Sequence, residues 1–166
     1  MMLSVVALAL VSAQRLGELV LARHNTRRLL AAGAFEIGRE HYPAMVLLHA
    51  AWLCGLWALA WDAPVSLGWL AVYAALQLLR AWTLWSLGGR WTTRIIILPG
   101  APRVTAGPYR LVSHPNYAIV AGEIAVLPLA FGLGVYALVF SLLNAVMLAI
   151  RIRAEGAALA RADQPA

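Results

Sequence analysis

The chain has 166 residues, is 63% hydrophobic and only 12% charged, and its mean hydropathy of +0.78 lies outside the range of a soluble globular domain. All thirteen basic residues are arginine and the formal net charge is +6, but the arginines do not gather on a soluble module, so the surplus does not indicate nucleic acid. HExxH, CxxC and Walker patterns are missing, as is the glycine-rich strand-to-helix turn of soluble methyltransferases, dehydrogenases and kinases, which argues against a metal site and against a cofactor held in that way.

Residues 3–22 form the first expected membrane span, since about twenty apolar residues cross roughly 30 Å of hydrocarbon. No basic stretch precedes the apolar start, and no small-residue cleavage site follows it, so it is read as a mature segment rather than a leader. Arg15 and Glu18 sit three apart on one helical face; charge at that depth must pair or look into the bundle. Arg23-His24-Asn25-Thr26-Arg27-Arg28 and then residues 33–41 are expected as loop or surface helix. The second span, 42–61, opens with Pro43 in its first turn, where a missing donor costs little. Its single cysteine, Cys54, has no disulfide partner and no nearby histidines, and is read as a small core hydrophobe. The third span covers 65–87, holds Gln77 and Arg80, and ends at Gly88-Gly89. The tryptophans lie mostly near the ends of these two spans, as interfacial anchors do.

The apolar pattern breaks over residues 90–117. The β-branched stretch 92–98, the turn signal Pro99-Gly100-Ala101-Pro102 and Arg103-Val104-Thr105 predict a short hairpin with 103–105 as its second arm. Gly107-Pro108 then bends the chain so that Tyr109 and Arg110 join an entrance at His114. Pro115 suits the first turn of a fourth helix, whose free amides and nearby aromatic rings can receive an anion or a cation. The bland alternative is an interfacial loop with a histidine cap. Residues 118–150 would make a helix about 50 Å long, too long for one crossing, so Gly132-Leu133-Gly134 is read as the bend of a helical hairpin. Arg151 and Glu155, four apart on one face, continue its second helix; such a pair is often only a solvated ion pair.

Five spans place eleven arginines on one side: 23, 27, 28 and 39 after the first, 90, 94, 103 and 110 after the third, 151, 153 and 161 in the tail. The positive-inside rule then puts the amino terminus outside and the carboxyl terminus, with residues 88–117, in the cytoplasm. The expected fold is an all-α integral membrane protein of one domain over 1–166: three spans in 1–87, a cytoplasmic loop at 88–117 and a hairpin at 118–160. The alanine-rich, lysine-free composition suggests a bacterial inner membrane.

Taken in order, Gly107-Pro108-Tyr109-Arg110, His114-Pro115-Asn116-Tyr117, the apolar hairpin and Arg151 with Glu155 resemble the isoprenylcysteine carboxyl methyltransferase family. Leu87-Gly88-Gly89-Arg90-Trp91-Thr92-Thr93-Arg94 is similar to that family too, so the resemblance covers roughly residues 80 to 160. It implies an integral membrane enzyme that uses S-adenosylmethionine, with a pocket closed by the cytoplasmic loop and the last two helices and open to a tunnel for a lipidic substrate from the bilayer. By the same resemblance Gly107, Pro108, Tyr109, His114, Pro115, Tyr117 and Glu155 line the cofactor site, while Arg151, Glu155 and His114 serve the reaction where cofactor and acceptor meet. The sequence departs from the pattern at Ser113, where relatives usually carry arginine, and at Gly156, where they usually carry a second glutamate. Ala118 and Ile119 stand where a glycine is common.

Methyl transfer is an in-line displacement, and the protein must align the groups and exclude water. A carboxylate acceptor needs only an orienting arginine, such as Arg94, Arg151 or Arg153; a phenol or enol hydroxyl needs a base, for which His114 and Glu155 are the candidates. Prenylcysteine-like acids and long-chain polyketide phenols or pyrones are the expected acceptors. The competing reading is a non-enzymatic transporter subunit or scaffold in which Arg15, Glu18, Arg80 and Glu123 form a buried polar network.

Overall fold

Along the first helix, residues 4, 8, 11, 15, 18, 22 and 25 follow alternating steps of four and three, the spacing that turns one stripe toward a partner helix. Those side chains change from Ser4, Leu8 and Val11 to Arg15, Glu18 and Asn25, while leucines and valines at 6, 10, 16 and 20 are exposed. The stripe is polar at one end because the outer surface of a bilayer protein faces lipid. In the structure, a computed structural model that describes residues 2–162, this helix is α1 (Met2–Ala31).

The chain continues through β1 (Phe35–Ile37), α2 (Tyr42–Ala60), α3 (Leu67–Leu87), β2 (Ile95–Ile97), α4 (Pro115–Ala130) and α5 (Gly134–Ala162), with short 3₁₀ turns at Gly88–Arg90 and Gly107–Arg110. Ser4 Oγ donates to Trp61 O at 2.8 Å, and Asn25 Nδ2 donates to Trp91 O at 2.9 Å. The start of α1 is thereby tied to the end of α2, and its end to the end of α3. The helices alternate in direction, which brings the loops after α1 and α3 and the end of α5 to one arginine-rich face. The side chain of Arg161 lies outside the described residues.

Four helices are long and apolar enough to cross a membrane, and α4 is a shorter apolar one; the chain is a helical integral membrane protein. The expected five helices are present, and the short one is α4, the first arm of the expected hairpin, whose sixteen residues rise only about 24 Å. Residues 23–31 prolong α1 by more than two turns beyond the expected end, because no glycine or proline interrupts them. Gly33, at φ +90°, stops it, with Ala34 N donating to Leu29 O at 3.0 Å and Gly33 N to Leu30 O at 3.1 Å, a Schellman closure.

The expected hairpin is also corrected. β2 pairs antiparallel with β1, Phe35 opposite Ile97 and Ile37 opposite Ile95, rather than with 103–105. The turn itself forms, with Ala101 N donating to Leu98 O at 3.2 Å, but Pro102 has no N–H for a ladder. Arg94 Nη1 instead donates to both Glu36 carboxylate oxygens, at 2.7 and 2.9 Å, and holds the start of β2 beside β1.

Leu8 and Val11 of α1, Trp52 and Leu56 of α2, Tyr73 of α3 and Ile124 and Leu127 of α4 form the apolar core. Trp61, Trp69, Trp82 and Trp85 are exposed, in keeping with anchors, whereas Trp52 and Trp91 are buried. Cys54 is exposed and not the core residue expected: hydrophobicity does not mark burial on a helix whose outer face meets lipid.

Candidate active site

Pro108 is buried in the 3₁₀ turn Gly107–Arg110, which docks on the end of α3. Gly107 has φ +58°, and a Cβ there would fall 2.0 Å from Ser86 Oγ, so glycine is needed for both conformation and approach. This anchoring presents Tyr109 next to His114, the residue before α4. His114 holds the N-cap position without a capping hydrogen bond from its side chain. Its ring instead stacks on Tyr117 at 5.2 Å, and Nδ1 lies 3.7 Å from Glu155 Oε2. Tyr117 donates its hydroxyl to the same oxygen at 2.8 Å. Burial pushes the Tyr109 phenol up to about 12, with the negative charge of Glu155 adding to the effect, so Tyr109 stays a neutral hydroxyl beside the carboxylate.

Arg151 is 5% exposed, and its guanidinium is turned away from Glu155. Nη2 donates to Thr93 O at 3.0 Å, Nη1 to Met45 Sδ at 3.0 Å, and Cζ lies 5.8 Å from the Tyr117 ring centre. Arg151 is therefore a buried strut joining α5, α2 and the loop before β2, and not a solvated pair with Glu155. Tyr42 closes the same corner: its hydroxyl is 3.0 Å from Thr93 Oγ1 and its ring lies under Arg94, 4.2 Å from Cζ.

These groups surround a cavity of about 1100 Å³ that runs from Tyr109, Ser113, His114, Tyr117 and Glu155 down to Arg15, Glu18, Arg80 and Glu123. At its deep end α1, α3 and α4 share a polar network. Arg80 Nε donates to Glu18 at 2.6 Å and Nη1 to Glu123 at 3.0 Å; Arg15 Nη2 donates to Glu123 at 2.8 Å. Gln77 Nε2 donates to Glu123 at 2.8 Å, and Gln14 bridges Glu18 and Gln77 at 2.9 and 2.8 Å. Two arginines and two glutamates cancel, the condition under which charge survives at membrane depth.

Among the residues singled out from the sequence, Tyr109, His114, Tyr117, Arg151 and Glu155 converge on the cavity wall, whereas Gly107, Pro108 and Pro115 support it without lining it. Arg153 is exposed and does not line the cavity, and Arg94 is committed to Glu36. Ser113 is exposed at the cavity edge, and a Cβ at Gly156 would meet nothing within 4 Å. Sequence reasoning missed Tyr42, Met45 and His49 of α2 and Asn116 and Asn144, all of which line the cavity. The α2 residues precede the resembling segment, and only their spacing of three and four along one helix face pointed to a shared wall.

The site fits S-adenosylmethionine chemically. Glu155 offers a carboxylate to ammonium or ribose hydroxyl groups, the rings of Tyr109, His114 and Tyr117 offer faces to a cationic sulfonium or a base, and Asn116 Oδ1 is buried without a partner. The profile of the isoprenylcysteine carboxyl methyltransferase (ICMT) family matches residues 69–161. The chain is 40% identical over 157 residues to the uncharacterized protein YpbQ of Bacillus subtilis strain 168, covering 92% of this chain and 94% of that one. No solved structure matches it significantly. The family profile fits more than half of the sequence, over the same loop and helices that build the cavity mouth, and the chain belongs to the isoprenylcysteine carboxyl methyltransferase family.

Proposed function

We propose that this protein is an S-adenosylmethionine-dependent methyltransferase that O-methylates a carboxylate or hydroxyl of a lipidic acceptor, either prenylcysteine-like or a long-chain polyketide phenol or pyrone. The observation that carries the reading is Glu155, bonded to Tyr117 and facing His114, at the mouth of a cavity whose walls become apolar helix faces. In this reading the arginine-rich face is cytoplasmic in a bacterial inner membrane, and the acceptor enters from the bilayer.

Bound S-adenosylmethionine supplies the electrophilic methyl group. Glu155, Asn116 and the rings of Tyr109, His114 and Tyr117 would hold it; β2 and the loop 98–105, which line the cavity, would shield the site from water. Arg151, fixed by Thr93 and Met45, keeps N–H donors free to orient a carboxylate acceptor, which is the alignment an in-line transfer needs. The balanced network of Arg15, Glu18, Arg80 and Glu123 favours the second reading, a non-enzymatic transporter subunit or scaffold. That reading gives no role to Glu155 and its partners Tyr117 and His114 at the mouth. Incubating the purified protein with methyl-labelled S-adenosylmethionine and bacterial membrane lipid extract tests the proposal: a labelled lipid supports it, and an unlabelled extract counts against it.

A further inference from the structure

Below Arg151 the cavity continues between two antiparallel stripes. Tyr42, Met45, Val46, His49 and Leu53 line it from α2, and Asn144, Met147, Leu148, Arg151 and Glu155 from α5. Met45 meets Arg151, so at 1.5 Å per residue His49 lies about 6 Å deeper along α2, and Asn144 about 10 Å deeper along α5. The two polar side chains thus face one apolar stretch of cavity within roughly a helical turn of each other in depth.

His49 Nδ1 is 2.8 Å from Met45 O. A carbonyl oxygen only accepts, so Nδ1 carries the proton, and the neutral ring leaves its lone pair on Nε2. Nε2 has no hydrogen-bond partner among the described residues and belongs to a side chain on the cavity wall. Asn144 is 1% exposed, and its Oδ1 is buried without a partner, a state that costs free energy unless something in the cavity donates to it. Other charged or titratable groups on these walls are Arg15 and Glu18 of α1, Tyr42 and the thiol Cys54 of α2, Arg80 of α3, Glu123 of α4 and Arg151 of α5. Each of the arginines and glutamates already has a bonded partner, and Tyr42 bonds Thr93. At the mouth, His114 and Glu155 face each other and Tyr117. Among the described residues lining this stretch, His49 is the base left free.

We propose, building on the methyltransferase reading, that His49 is the general base for a hydroxyl acceptor, a lipidic phenol or enol whose oxygen function is positioned by Asn144. As the acceptor oxygen forms its bond to the methyl carbon, the sulfur–methyl bond breaks and its electron pair returns to sulfur, leaving a neutral thioether. The hydroxyl proton passes to His49 Nε2, so the positive charge moves from sulfonium to imidazolium. A carboxylate acceptor, already ionised, would make no use of this group.

The test uses the full chain in detergent, saturated with S-adenosylhomocysteine and titrated with 4-dodecyl-2-nitrophenol, whose absorbance reports both binding and ionisation. His49→Asn keeps an amide where Nδ1 donates to Met45 but has nothing at Nε2, and S-adenosylhomocysteine binding shows that the variant is folded. The expected result is nitrophenol affinity about ten-fold weaker in His49→Asn and in Asn144→Leu. The ionisation of the bound phenol, favoured in wild type by proton transfer to His49, moves to higher pH in His49→Asn. With S-adenosylmethionine present, His49→Asn lowers kcat for the phenol about 100-fold. A His49→Asn protein that binds and methylates the phenol as wild type does would overturn the proposal, and so would a wild type that binds S-adenosylhomocysteine but not the phenol. Loss of S-adenosylhomocysteine binding by wild type is a separate result and strikes the methyltransferase reading itself.

Discussion

The hydroxyl of Tyr117 donates a 2.8 Å hydrogen bond to Glu155 Oε2 across 38 positions of sequence, so the first turn of α4 and the outer turns of α5 meet at one carboxylate. If that carboxylate binds the cofactor, Glu155→Gln keeps the shape and removes the charge. Hydrogen bonds to a charged group contribute about 1.5–3 kcal/mol, so S-adenosylhomocysteine affinity should fall by about 10- to 100-fold. Tyr117→Phe only releases the carboxylate from its partner and should cost less, about three- to ten-fold. Calorimetric titration of both variants measures the order.

The deep network predicts a different pattern, one of stability. Arg80→Met leaves Glu18 and Glu123 short of a partner in a buried site, and removing one member of such a set costs about 3–5 kcal/mol. The double variant Glu18→Leu with Arg80→Met restores neutrality and should recover part of that loss. Thermal unfolding in detergent, with Arg80→Met less stable than the double variant, bears this out; the reverse order would contradict a charge-balanced network.

Gly107 links the loop to α3. In Gly107→Ala the new Cβ meets Ser86 Oγ and the residue is held at φ +58°, a strain of about 1–2 kcal/mol before any clash. The 3₁₀ turn should lift from α3 and carry Tyr109 with it. S-adenosylhomocysteine affinity should weaken by about ten-fold or more, with a smaller change in Tm than Arg80→Met gives.

Tyr109 sets a pH signature. Its phenol titrates near 12 in the folded protein, against about 10 in an unfolded chain. The folded state holds the proton more tightly, so this contribution is fully present below pH 10 and is lost as the pH rises from 10 to 12. Tyr109→Phe should show a shallower alkaline loss of stability over that window than wild type, measured as Tm against pH.

How much of this was legible in the sequence depends on which solvent each residue faces. Helix ends were readable where backbone chemistry fixed them: Pro43 and Pro115 in first turns, Gly88 at the end of α3, Gly132 at the bend. Tyr109, His114, Tyr117 and Glu155 entered the reading through the resemblance rather than through hydropathy, and the structure places all four on one cavity wall. Strand pairing was hidden, since the partner of Ile95–Ile97 lies sixty residues earlier in sequence and is fixed by the Arg94–Glu36 ion pair. Cys54 was hidden because, on a lipid-facing helix, apolar character does not distinguish core, cavity wall and outer surface; His49 and Asn144 stand out as polar, but only the packing of α2 beside α5 puts both on one cavity. Arg15, Glu18, Arg80 and Glu123 were individually visible as anomalies, but only the packing of α1, α3 and α4 shows how their donors and acceptors are satisfied.

Calorimetry with S-adenosylhomocysteine on the purified wild type and on His114→Ala tests the central claim, that the mouth formed by His114, Tyr117 and Glu155 holds the methyl donor. The account predicts one binding event per chain for the wild type and affinity weaker by about ten-fold for His114→Ala, which loses the ring stacked on Tyr117. A wild type that binds nothing, or a variant that binds as tightly as wild type, would contradict it.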